Sequence, residues 1–381
     1  MQAKHTIGTI LPILFGFLVM GFVDVVGIAT SYVKSDFGLS DTLANLLPMM
    51  VFLWFAIFSI PTGLLMARVG RRNTVVLSLV VTFAAMCIPL LFYQFTSVLF
   101  AFALLGIGNT MLQVSLNPMV AAVVSNDKTA SVLTLGQFLK AISSFLGPLI
   151  AGACASFAGD WKGIFLIYAI TTLLSAAWLL ISVREQKVAT DIKATFGTAC
   201  ALFKDSYIGM LFLGILVIVG IDVGLNTTIP KLLMEKLGLS LAEAGLGSSL
   251  YFSARTIGSF AGAFLLARIA SRRFLIYSML LAIVAFAGML VADSLGFLSA
   301  MIVIVGLACA NVFSILFAAA LSHLPERSNE ISALLVMGIA GAALILPLMG
   351  IIADSFGQVA ALALLLIGLV YLVYVSCRLK K

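Results

Sequence analysis

Apolar residues run through this chain in long blocks, and the polar residues that interrupt them cluster with glycine and proline. Twelve blocks are long enough to cross a hydrocarbon core of about 30 Å as helices. They cover residues 6–32, 43–67, 74–93, 97–124, 130–156, 162–183, 207–233, 243–267, 274–292, 296–321, 330–353 and 358–377, hereafter spans 1 to 12. The pattern predicts an all-α polytopic membrane protein. Span 1 runs past the length of a signal-peptide core and no small-residue cleavage pattern follows it, so it is expected to stay in the protein.

Composition leads to the same class. Of 381 residues, 62% are hydrophobic and 10% charged, with a mean hydropathy of +1.21, which leaves too little polar surface to coat a water-soluble globule. In the twelve-span arrangement most of the 22 Lys and Arg fall on the side shared by both termini, while Asp and Glu divide about evenly. Loop basicity marks the cytoplasmic face. Both termini are therefore expected in the cytoplasm, with the protein in the cell (inner) membrane. The net charge of +7 reads as topology, and no nucleic-acid partner is expected.

Metal and thiol chemistry find little support. Cys87, Cys154, Cys200, Cys309 and Cys377 show neither metal-ligand nor CxxC spacing and read as packing residues. His5 and His323 fall at membrane edges and read as solvated, which leaves no buried imidazole for a metal or for base catalysis. No cofactor and no metal site are expected. An intramembrane enzyme is set aside as well, because the deep serines have no evident activator beyond Lys140.

The chain repeats itself. "GFVDVVGIATSYVKSDFGLS" recurs loosely as "GIDVGLNTTIPKLLMEKLGLS", "LLMARVGRR" as "LLARIASRR", and "PLIAGACASF" as "PLMGIIADSF". These set Asp24 against Asp222, Arg68 against Arg268 and Pro148 against Pro347, all at an offset of about 200 residues. Two pseudo-symmetric six-helix bundles follow, residues 1–183 and 207–381, joined by a polar cytoplasmic linker at 184–206 that begins "REQKVATDIKATFG". A parallel repeat of this kind is a plan of secondary transporters.

Polar side chains inside the spans are the candidate chemistry. Asn109, Gln113 and Asn117 stand at i, i+4 and i+8, one polar stripe on span 4 just ahead of Pro118. Gln137 and Lys140 share a face of span 5, Asp222 and Asn226 a face of span 7, and Tyr251 and Arg255 a face of span 8, while Asn311 lies on span 10. Asp24, Lys140, Asp222 and Arg255 would each cost roughly 2.5–3.5 kcal/mol at a helix centre if unpaired. Two acids and two bases balance, so Lys140 is expected to pair with Asp24 and Arg255 with Asp222.

The chain resembles the major facilitator superfamily over essentially its full length. "GLLMARVGRRN" is similar to that family's signature, with Gly63, Arg68, Gly70, Arg71 and Arg72 in the expected places and Ala67 where an acid is usual. The resemblance implies the twelve-helix fold of that family and conformational gating by these residues. It also implies that spans 1, 4, 7 and 10 line a central cavity, that 2, 5, 8 and 11 form the interface between halves, and that the rest face lipid. Gly136, Gly147 and Pro148 in span 5, and Gly338, Gly341 and Pro347 in span 11, are placed to let those helices approach closely or bend.

Within the superfamily the chain resembles the fucose-galactose-glucose:proton symporters through "GFVDVVG", "GNTMLQVSLNPMV" and "GQFLKAISSFLG". In that family an Asp in helix one and a carboxylate in helix four carry protonation and sugar recognition. Asp24 matches the first position and Asn117–Pro118 a neighbouring pair, while Gln113 replaces the second acid and Lys140 a neutral polar residue. The implied function is symport of a monosaccharide coupled to H+ or Na+, by alternating access. Asp24 and Asp222 are the ion-coupling candidates. Asn109, Gln113, Asn117, Gln137, Lys140, Asn226, Tyr251, Arg255 and Asn311 are the substrate-binding candidates, with Trp54 or Tyr251 offering an aromatic face. Alternatives are a carrier of an acidic sugar or organic anion bound by Lys140 and Arg255, and a transport-dead sensor. If both cations have acidic partners, the anion carrier loses its motive. The expected partners are a sugar or sugar-acid substrate and the bilayer, with the chain acting as a monomer.

Overall fold

The computed structural model describes residues 7–39, 43, 46–184, 196–239 and 241–380. Among them every regular element is helical, and ten helices are long and apolar enough to cross a membrane. Span 1 is Ile7–Met20 and Val25–Phe37 joined by a tighter 3-10 turn, Gly21–Asp24. Spans 2 to 6 are Leu46–Val69, Arg71–Leu91, Phe95–Val123, Asn126–Ala158 and Gly163–Ser182. Spans 7 to 9 are Ser206–Leu237, Leu241–Leu265 and Ser271–Val291. Span 10 breaks into Leu295–Cys309 and Val312–His323. Span 11 starts as Ser328–Met337 and passes through a 3-10 turn, Gly338–Gly341, into Ala342–Arg378, which bends at Gly357 (φ 84°) and continues as span 12. Residues 185–195 of the expected linker lie outside the described residues, as does His5; the linker's described end is a short helix, Phe196–Ala201.

Helix ends are closed by local chemistry. Gly159 and Gly238 end spans 5 and 7 in the left-handed conformation that glycine adopts without strain. The Glu235 carboxylate accepts from the Gln358 N–H at 3.0 Å, capping the start of span 12. Lys236 donates to the Leu290 and Ala292 carbonyls at the end of span 9.

Asp205 caps span 7 by accepting from the Tyr207 and Ile208 amides at 2.8 and 3.3 Å, and it also faces His323 Nε2 at 2.9 Å. Lys380 Nζ lies 3.1 Å from His323 Nδ1. His323 is thus bridged between an acid and a lysine, which corrects the expectation of a solvated edge histidine. Burial works to raise the Asp205 carboxyl, but the His323 bond and the capping amides outweigh it, so the carboxyl sits below its ordinary value. A lowered carboxyl contributes stability above the ordinary carboxylate range and loses it as pH falls through that range. Asp205→Ala is therefore expected to cost about 1 kcal/mol at neutral pH. Thermal midpoints in detergent should show the gap between wild type and variant closing on acidification.

By contact the chain forms two compact units. Unit one holds Met1–Ser125, Leu139–Leu202 and Leu324–Met337; unit two holds Asn126–Phe138, Phe203–His323 and Gly338–Lys381. In unit one, span 4 packs on spans 1, 2 and 3, span 6 packs on spans 1 and 3, and the first turns of span 11 pack on spans 2 and 4. In unit two, span 7 packs on spans 8, 10 and 12, and span 9 on spans 10 and 12. The first turns of span 5 lie on span 8 there: Ser131 donates to the Ala263 carbonyl and the Phe138 ring meets that of Phe260.

Candidate functional site

In unit one the amide stripe of span 4 is a chain of hydrogen bonds. Asn109 Nδ2 donates to the Met20 carbonyl at 2.7 Å, Gln113 Nε2 donates to Asn109 Oδ1 at 2.8 Å, and Asn117 Nδ2 donates to the Gln113 carbonyl at 2.8 Å. The three are 2%, 3% and 1% exposed, so the stripe is closed to solvent here. Met20 is the last residue before span 1 tightens into its 3-10 turn. Helix ends leave carbonyls in need of donors, and Asn109 supplies one at the break that positions Asp24.

Gly21 sets the distance between spans 1 and 5. A Cβ there would stand 2.5 Å from the Lys140 carbonyl oxygen, so only glycine allows this approach. Asp24 is thereby brought to Ser144, whose hydroxyl donates to its carboxylate. The expected Lys140–Asp24 ion pair is not formed. Span 1 meets the backbone of Lys140 at Gly21, and the half-buried Lys140 side chain has no ion-pair partner among the described residues.

In unit two the expected pair is present. Arg255 Nη2 lies 2.9 Å from Asp222 Oδ2, and the Tyr251 hydroxyl donates to Asp222 Oδ1 at 2.6 Å. Tyr251 and Arg255 thus use their shared face of span 8 to grip one carboxylate, and Arg255 Nε remains buried without a partner among the described residues. Asn311 is at the break in span 10, where its Nδ2 donates to the Gly258 carbonyl at 3.1 Å and ties span 10 to span 8. The Asn226 side chain is exposed and Gln137 half-buried. Trp54 is edge-on to Phe58, with its indole N–H buried and unpartnered among the described residues.

Two prolines in the spans free carbonyls that serines of other spans then satisfy. Pro118 has no N–H to offer the Val114 carbonyl one turn earlier, and Ser332 of span 11 donates to that oxygen at 2.5 Å. Pro230 likewise frees the Asn226 carbonyl, which accepts from Ser248 of span 8 at 2.8 Å. Proline marks the open acceptor in the sequence, but the distant serine that fills it carries no signal of its own.

The signature loop sits beside the start of span 11. A Cβ on Gly63 would fall 2.6 Å from that of Ala333, and Gly70 holds φ 93° at the turn into span 3. Arg71 is buried and donates to Asn329 Oδ1 at 2.8 Å and to the Ser328 hydroxyl. Arg72 donates to the Leu180 carbonyl at 2.6 Å, while Arg68 is exposed. Asn329 and Ser328 are thus among the groups that hold Arg71 beside the start of span 11. Nearby, the buried Glu330 pairs with Arg327 at 2.7 Å and accepts from Thr198 at 2.8 Å. Glu330 was visible in the sequence as an acid opening span 11, but nothing there pointed to Thr198.

A sequence model described as Major Facilitator Superfamily matches residues 13–232 and 210–380. The chain is 25% identical over 379 residues to a glucose/galactose transporter of Brucella abortus biovar 1 (strain 9-941), with 94% of this chain and 90% of that protein covered. It is 26% identical over 363 residues to a putative glucose/galactose transporter of Helicobacter pylori strain J99, covering 89% and 87%. The E. coli fucose:proton symporter FucP has a similar fold, with a TM-score of 0.87 at 14% identity over 99% and 100% of the two chains.

Proposed function

The chain belongs to the Major Facilitator Superfamily, a family of transporters, and from that premise we propose that it is a monosaccharide symporter driven by a cation gradient through Asp24. The sugar reading follows the names of the glucose/galactose relatives. One observation carries the coupling reading: the two embedded acids are held differently. Asp222 is clasped by Arg255 and Tyr251, so protonating it breaks an ion pair. Asp24 is held by the neutral Ser144 hydroxyl and can take a proton without that loss. A proton is the coupling ion this arrangement favours over Na+, which would need more oxygen ligands around one carboxylate.

Alternating access moves the solute, and Gln113, Asn117 and Gln137 supply amides suited to sugar hydroxyls. Asn109 acts one step back, fixing the break beside Asp24. The protein resides as a monomer in the inner membrane with both termini cytoplasmic.

The half-buried Lys140 favours a second reading, carriage of an acidic sugar. Arg255 is withdrawn as an anion ligand because Asp222 neutralises it. Uptake of radiolabelled neutral and acidic monosaccharides into proteoliposomes under imposed pH or Na+ gradients separates the two. Neutral-sugar accumulation that survives Lys140→Ala supports the first reading. Acidic-sugar uptake lost in Lys140→Ala supports the second, and no accumulation of either under any gradient would leave a sensor.

A further inference from the structure

Two spans of unit two carry the same order of side chains on their exposed faces. Span 9 begins at Ser271 and shows Arg273, Tyr277, Leu281 and Val284 at i, i+4, i+8 and i+11. Span 12 ends at Arg378 and shows Arg378, Tyr374, Val370 and Ile367 at the same spacing read backwards. Tyr277 and Val284 are each 70% exposed, Tyr374 is 50% and Ile367 68%, so protein covers neither face. Spans 9 and 12 pack on each other. Spans 9 to 12 make an even number of crossings between Arg273 and Arg378, which puts both arginines on the same side of the membrane. Each stripe rises about 16 Å along its helix, close to the apolar depth of one leaflet.

Among the described residues no acid answers the two charges. Arg273 stands in the first turn of span 9, which holds no acid, and a cation there opposes the helix dipole, so helix stability does not account for it. Arg378 lies over the exposed Tyr374 ring, 5.5 Å from its centroid. Neither guanidinium makes a hydrogen bond or ion pair among the described residues. Basic loops orient a membrane chain and tyrosines favour its edges, which would account for one residue of each kind. The internal repeat shows that more is specified. Spans 3 and 6 are the matching pair in unit one, and there Arg72 donates to the Leu180 carbonyl at 2.6 Å. The tyrosines are missing too: Val76 matches Tyr277, and Leu180 stands four residues before Arg184 at the end of span 6. In unit one an arginine thus binds its own protein, whereas in unit two the arginines face the bilayer edge with tyrosines beside them.

We propose that an anionic phospholipid is seated on the lipid-facing side of spans 9 and 12, with its phosphate held by Arg273 and Arg378 and its acyl chains along the two stripes. Guanidinium forks match phosphate oxygens in pairs. The tyrosines, one turn further in, stand where an aromatic ring with a polar tip is favoured, and the aliphatic residues beyond them meet the chains. An uncovered apolar face within a bilayer meets lipid in any case; the two unanswered cations select, among lipids, those with net negative charge. Spans 9 and 12 carry none of the substrate or coupling candidates, so the seat stands independently of the sugar reading.

The test delipidates the full chain in detergent and adds back dioleoyl-phosphatidylglycerol or dioleoyl-phosphatidylcholine, which share their chains and differ in net charge. Native mass spectrometry counts the lipid retained, and the thermal midpoint is followed in parallel. Phosphatidylglycerol should be retained and raise the midpoint, and phosphatidylcholine should do neither. Arg273→Gln/Arg378→Gln should weaken phosphatidylglycerol retention about thirtyfold, the scale of two basic side chains at an anionic headgroup. Arg184→Gln/Lys204→Gln removes the same charge from exposed positions elsewhere and should retain the lipid as wild type does. Equal retention of the two lipids by wild type overturns the proposal, and so does an equal loss in both double variants, which would make the effect one of overall charge. A wild-type measurement stands beside these should the arginine variant fail to fold: a phosphatidylglycerol with a photoactivatable headgroup should crosslink to the peptides that contain Arg273 and Arg378, and crosslinks confined to other spans would refute the seat.

Discussion

Asp24→Asn is expected to abolish gradient-driven accumulation of substrate while leaving counterflow measurable. The variant keeps the size of the side chain and an oxygen that can accept from Ser144, so the contact between spans 1 and 5 at Gly21 survives. What it removes is the ionisable group. One charge moved across a membrane potential of 100 mV supplies about 2.3 kcal/mol, enough for roughly fifty-fold accumulation, and that factor is what disappears. The assay is uptake of labelled sugar into proteoliposomes under an imposed gradient, with counterflow in the same preparation as the control for folding. Accumulation equal to wild type would move coupling away from Asp24. Loss of counterflow as well would show that Asn disturbs the site as a whole, and Asp24→Glu then restores the acid to decide between the two.

The spans were legible because hydrocarbon thickness imposes a length on apolar runs, and their ends because Gly70, Gly159, Gly238 and Gly357 hold backbone conformations that other residues avoid. The pairing of the charges was legible only in part. Asp24 and Asp222 occupy equivalent places in the repeat, yet Asp24 turns to Ser144 on span 5 and Asp222 to Tyr251 and Arg255 on span 8. Helical spacing correctly set Tyr251 and Arg255 on one face, and two donors one turn apart suit one carboxylate. Charge balance alone suggested Lys140 for Asp24, and it carries no information on the close approach at Gly21 that brings Ser144 to that carboxylate instead. The stripe Asn109, Gln113 and Asn117 was likewise placed correctly on one face of span 4. Periodicity gives no account of what that face meets, and the Met20 carbonyl that takes Asn109 becomes an acceptor only because span 1 tightens at Gly21. Serine partners such as Ser144 and Ser332 are chosen by proximity across the fold, which leaves no mark on the sequence near them.

The Asp222–Arg255 pair should give the largest stability effects in the chain. Removing one member of a buried ion pair strands the other charge, typically at about 3–5 kcal/mol, and the cost here falls toward the lower end because the Arg255 side chain is 26% exposed. Arg255→Met and Asp222→Leu are each expected to lower the thermal midpoint sharply. The double variant Asp222→Leu/Arg255→Met should recover most of the loss, because an apolar pair of similar volume has no charge to desolvate. Tyr251→Phe leaves the pair intact and deletes one hydrogen bond to a charged acceptor, so its loss should be smaller, about 1.5–3 kcal/mol. Transport by the double variant then decides what the pair is for. A stable protein that still accumulates substrate makes the pair a structural clasp between spans 7 and 8, whereas a stable protein that has lost transport means that making and breaking this pair is part of the cycle. Arg255 Nε, buried and unpartnered among the described residues, favours the second outcome, because a guanidinium held for structure alone is stabilised by having every N–H bonded.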